Sequence, residues 1–338
     1  MNRILPKALV ALVGIGWVMA GATCVVEAQA STARGPLMLV TSFGPGAVEL
    51  PQGADWNPEM LTVYDDGKRP VAQFSNERIK ASLALLLFEN RSGTPTAQGC
   101  RGDAIDPIVK KYGKVIFKRS DRNTKLSDGT EIAITAYTLY PAEAKAGHQR
   151  NLFAFAGNAT VCAEAHLSST VDTAAEAEQL QRALSDFHPN PGYQRKPIDL
   201  FHIGQLLSRG DAGVAVPYFK AALKLMPADP SYTAPRRMTT DQLVMALGKS
   251  GDLKGSRAAA EEAVTADPDY PMNYFNLACA DAGQGDAVNA RKHLQEAFDR
   301  RKNVLAGEQM PDASKDDSIL KLKGDSAFWE FVLSLPKS

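Results

Sequence analysis

Leu200 to Pro227 reads LFHIGQLLSRGDAGVAVPYFKAALKLMP, and this stretch decides the fold of the C-terminal half because its turn recurs twice further along. Gly210-Asp211 separates two amphipathic runs, and Gly251-Asp252 and Gly285-Asp286 do the same. The last two pairs lie 34 residues apart and the first two 41. This fits a helix-turn-helix unit of about 34 residues with an insertion after its first copy. Apolar residues fall at helical spacing on both runs, as in Leu243, Ala246 and Leu247, then Ala259, Ala263 and Val264. One such hairpin cannot cover its own apolar side. Neighbouring units must therefore stack, and the first helices of the units line a curved surface.

Residue by residue, this half resembles the tetratricopeptide repeat family. In the first unit Gly210-Asp211 is the turn, Ala215 and Ala222 are the small residues of the second helix, Phe219 the aromatic and Pro227 the terminator. Its first helix departs, with Ile203 where a small residue is expected and Gly204 beside it. The second unit, Thr239 to Pro268, has Ser256 and Ala260 in place of Ala and an aromatic. The third keeps Tyr274, Asn276, Leu277 and Ala278, then Ala290, Leu294 and Ala297. Leu320, Leu322, Phe328, Trp329 and Phe331 beyond it are expected to seal the last helix pair as a C-terminal capping helix.

Upstream, the pattern changes to short β-branched or aromatic runs bounded by turn residues. Strands are expected over 36–43, 82–89, 114–118, 131–140, 151–156 and 160–167, with hairpins at 114–140 and 151–167. One helix is read from Asp103 to Tyr112, its Asp103 matched to the helix dipole, and another opens on the capping box Thr173-x-x-Glu176. The expected architecture is an α+β domain, a mostly antiparallel sheet with two helices, followed by the all-α repeat domain. Pro189-Asn190-Pro191-Gly192 continues neither a helix nor a strand, so the domains are expected at 31–190 and 198–338, joined by a linker at 191–197.

Arg3 and Lys7 precede an apolar stretch that ends at Ala28-Gln29-Ala30, the form of a cleaved secretory signal over residues 1–30. An uncleaved anchor is the alternative. Export, to a periplasm or the extracellular space, places Cys100 and Cys162 where disulfides persist, and they are the natural pair. Cys279 is left over, read as a small apolar residue inside a helix. With 38 basic and 38 acidic residues the chain has no net field, and no long single-sign run supplies a local one, so nucleic acid and membrane are not expected partners.

The helical half implies an exported, non-enzymatic binding or scaffolding protein, a monomer whose groove engages a peptide or protein. The positions assigned to the groove are Gly204, Met238, Gln242, Met272 and Asn276, with Met245 nearby. Gln242 and Asn276 are candidate donors to the partner, or alternatively donors to neighbouring helices. No catalytic, metal or cofactor motif is found; Gly-x-Ser-x-Gly, the phosphate-binding loop and His-Glu-x-x-His are absent. The rival reading is an enzyme or small-ligand carrier using Glu164 and His166, which period-two alternation puts on one strand face with Cys162.

Overall fold

The structure is a computed structural model that describes residues 36–51, 55–64, 67–140, 148–170 and 173–336. The expected signal segment, residues 1–30, lies outside the described residues. Residues 36–338 form one compact unit.

The strands are β1 (Met38–Val40), β2 (Ala47–Glu49), β3 (Asn57–Tyr64), β4 (Arg69–Asn76), β5 (Ala81–Glu89), β6 (Ile116–Lys125), β7 (Glu131–Leu139), β8 (Gln149–Gly157), β9 (Val161–Ser169) and β10 (Pro189–Asn190). Seven of them make an antiparallel sheet in the order β3-β4-β5-β9-β8-β7-β6, and β1, β2 and β10 make a second, small sheet. Strict alternation sets the faces. Ala81, Leu83, Leu85 and Leu87 of β5 lie on one face with Ala163, Ala165 and Leu167 of β9, all buried. The opposite face carries Phe88, Cys162, Phe155, Phe153 and Tyr137 under α1 (Ala97–Tyr112).

The first face packs against the small sheet, α2 (Ala174–Ala183) and the helices that follow it, so one apolar cluster runs from Met38 to Leu247. Pro189 and Asn190, expected to break structure, pair with Val48 and Ala47 of β2 instead. Gly46 N–H donates to the Tyr193 carbonyl at 2.8 Å, and the Tyr193 hydroxyl donates to Asp199 at 2.9 Å, so residues 189–199 are pinned at both ends. Asp103 is not at a helix start. The helix begins six residues earlier, capped by Thr96, and Asp103 accepts from the Arg91 and Ser92 amides.

Three antiparallel hairpins follow: α3 (Pro197–Leu207) with α4 (Ala212–Leu225), α5 (Thr233–Lys249) with α6 (Leu253–Ala266), and α7 (Pro271–Gly283) with α8 (Ala287–Asp299). Each turn Asp caps its second helix, accepting from the amides of Gly213, Gly255 and Asn289. Gly251 and Gly285 hold φ of 87° and 85°, a left-handed position that glycine takes without strain. The small residue expected at Ile203 stands one position later in the first hairpin. Gly204 is the small residue there: a Cβ on it would lie 2.7 Å from the Phe219 ring.

The departures of the second unit compensate one another. Val244 fills the place that Gly204 and Ala278 leave small, and across from it stands Ala260 where the neighbours have Phe219 and Leu294. Ser256, 5% exposed, donates its hydroxyl to the Val244 carbonyl at 3.0 Å. The expected capping helix is two pieces, α9 (Asp317–Leu320) against α7 and α10 (Ser326–Ser334) against α8. Phe328 and Val332 are buried there, whereas Leu320 points outward.

Candidate functional site

The three first helices differ in how much of themselves they show. α3 is backed by β1 and β3, with Leu200, Ile203 and Leu207 buried and Ile198 half exposed at its start. α7 is buried almost throughout, including Met272 at 8%, Phe275 at 3% and Asn276 at 6% exposure. Between them, α5 keeps an accessible side: Met238 is 45% exposed, and Asp241, Gln242 and Met245 are half-buried.

Asp241 is the hub of this face, and sequence reasoning passed over it. Asn276 donates its side-chain amide to Asp241 at 2.8 Å, and the Gln242 amide lies 3.5 Å from the other carboxylate oxygen, at the limit of a hydrogen bond. Burial pushes the Asp241 carboxyl above its ordinary range, the Asn276 bond opposes this, and the nearby Glu308 carboxylate adds to it. Asn276 is thus spent inside the fold. Gln242 and Met245 face the accessible side, while Gly204, assigned to the groove, packs against Phe219. Arg237, beside Met238, is bound through two nitrogens to Asp267 at 2.6 and 3.1 Å and lies 4.6 Å from the Tyr270 ring centre. Its charge is therefore largely answered within the protein.

On the sheet, Glu164 and His166 share the face of Cys162 as expected, yet they do not converge on an open site. The Cys162 sulfur is bonded to Cys100 of α1. His166 Nε2 lies 2.9 Å from Asn151 Oδ1, and its ring stacks on Phe153 at 4.0 Å. Burial lowers the His166 pKa to about 4 and raises that of Glu164 to about 7, the charge of Arg69 only partly opposing the latter. The clefts found in this half, of about 200 and 410 Å³, lie along Asn123–Lys125 and Val109–Val115 and reach neither residue. Among the described residues no cluster of His, Cys, Asp or Glu is arranged to hold a metal.

One stretch carries more charge of a single sign than the rest of the sequence. Lys110, Lys111, Lys114, Lys118, Arg119, Arg122 and Lys125 are relieved only by Asp121 within that stretch. Most of them lie on β6, the exposed edge of the large sheet. Cations on an open edge discourage pairing with other chains. Arg119 is paired with Asp121 at 2.8 Å and Lys125 with Glu131 at 3.5 Å.

No protein-family profile matches the chain, and no curated protein does. Among solved structures it is similar to the TPR domain of Sgt2 from Aspergillus fumigatus, at 18% identity and a TM-score of 0.30, over 42% of this chain and 85% of that one.

Proposed function

We propose that the chain is an exported, non-enzymatic scaffold, tetratricopeptide-like in its helical half, that takes up a peptide or protein partner on the face of α5. The observation that carries this reading is the contrast along the first helices. α3 is backed by the sheet and α7 is covered, while α5 presents Met238, Gln242 and Met245 in a row at helical spacing. An accessible apolar side chain beside the Gln242 amide suits a neutral, partly apolar segment. The Cys100–Cys162 bond supports an oxidising compartment, and no helix among the described residues is long and apolar enough to cross a membrane. A monomer is the expected state.

The test compares a Met238→Asp/Gln242→Ala variant with Val288→Asp, which alters an 81% exposed apolar residue of α8 instead. Partner recovery from the exported compartment should fall at least about tenfold for the first and stay unchanged for the second, a loss of roughly 1.4 kcal/mol or more. Equal recovery from both, with matching melting temperatures, would remove α5 from the site.

A further inference from the structure

What covers α7 is the chain itself. Residues 304–316, between the turn Arg301–Asn303 and α9, run along it from its start to near its end. The Tyr270 hydroxyl donates to Glu308 Oε1 at 2.7 Å, and Glu308 Oε2 accepts from the Leu305 amide at 2.9 Å. Met310, 8% exposed, and Ala313, 3% exposed, belong to the same apolar cluster as Tyr270, Met272 and Phe275. Further along, burial and the neighbouring Asp316 carboxylate push the Cys279 thiol above its ordinary range.

Between Glu308 and Asp312 the segment has no helix or strand, and Pro311 has no N–H to give. The Tyr270 hydroxyl on Glu308 and the buried side chains of Met310 and Ala313 hold the segment against α7. Glu308 lies among charges of both signs, the Asp241 carboxylate of α5 opposing it and the Arg237 guanidinium attracting it. The buried Met310 and Ala313 supply the apolar part of the seat. The segment is tethered at both ends, by the turn after α8 and by the buried Ile319 and Phe328 beyond it.

We propose that residues 304–316 are an intramolecular ligand occupying the α7 portion of the docking face, displaced by a partner of the same chemistry. That partner is an extended segment presenting a carboxylate to Tyr270 and, two residues on, an apolar side chain to the Met310 position. This rests on the reading of the first helices as a docking face.

Hydrogen exchange on the full chain tests the displaceable segment without any partner. Amides of 304–316 should exchange at least about 100-fold faster than those of α7 and α8, through an opening that leaves both helices protected. Exchange at the rate of α7 and α8 would overturn the proposal by making the segment a fixed part of the core. The second arm uses a synthetic peptide, VLAGEQMPDASKD, added to a Glu308→Gln/Met310→Ala variant of the full chain. The variant should bind it at least about tenfold more tightly than the wild type, and a peptide carrying the same two changes should not bind. Equal binding to variant and wild type, or none to a folded variant, overturns the displacement. If the variant does not fold, the exchange pattern of the wild type decides alone. A fast-exchanging segment together with undiminished partner recovery from the α5 variant would refute the docking reading and leave the mobile segment standing.

Discussion

Glu164, 7% exposed, sits between Leu86 and Phe155 on neighbouring strands, where its ionised form loses hydration and gains only a partial answer from Arg69. Its folded pKa of about 7 exceeds the model-compound value of 4.5, so the folded state binds the extra proton between those limits. The stability it contributes is full below about pH 4.5 and is lost as pH rises through about 7. His166 acts in the opposite direction: its pKa, lowered from 6.5 to about 4, makes its contribution present above 6.5 and lost as pH falls through 4. The two nearly cancel around pH 5 to 6. Glu164→Gln should therefore gain on the wild type by ~2–3 kcal/mol between pH 4 and 8, measured by denaturant unfolding across that range. A flat difference would mean that the carboxyl is not shielded from water.

Asp281 is the other residue whose change has a predictable cost. It is fully buried, and its carboxylate receives Arg257 of α6 and His293 of α8, each at 2.6 Å. One side chain thus ties three helices. Asp281→Ala takes the acceptor from the imidazole and leaves the guanidinium only Glu261, at 3.0 Å, and should cost about 1–3 kcal/mol, readable as a loss of thermal stability in calorimetry.

At the scale of elements, what was legible was what periodicity writes. Apolar alternation made β5, β7, β8 and β9 readable, the capping box made α2 readable, and the Gly-Asp turns located all three hairpins. The strands that escaped notice lack that signal. β3 and β4 carry Pro58 and Pro70, and β10 is a two-residue pairing of Pro189 and Asn190 that exists only because β2 lies beside it. The second half of β6, Ser120 to Lys125, is polar throughout since an exposed edge buries neither face. The candidate site was only half readable. Met238, Gln242 and Met245 follow from helix phase, whereas the loss of Asn276 to Asp241 depends on how two helices pack side by side.

Across the whole molecule, one apolar cluster joins the large sheet to the first two hairpins, and the Cys100–Cys162 bond fastens α1 to the sheet's other face. The bond needs Gly157 beside it, because a Cβ there would lie 2.2 Å from the Cys100 sulfur. It closes a loop with a sequence separation of 62, so a Cys100→Ser/Cys162→Ser variant should lose about 4 kcal/mol on the chain-entropy account. Because the core is shared, that loss should appear as the downward shift of a single unfolding transition, monitored together by far-ultraviolet circular dichroism and tryptophan fluorescence.

The docking role depends on α5 being the first helix left accessible in the row, a consequence of the sheet behind α3 and the chain's own residues 304–316 on α7. The most direct measurement is site-specific photo-crosslinking in the exported compartment, with the probe at Met238 or, as the comparison, at Val288. The account predicts that one protein is captured from Met238 and not from Val288, and that Gln242→Ala weakens the capture. Equal capture from both positions, or none from Met238, would contradict it.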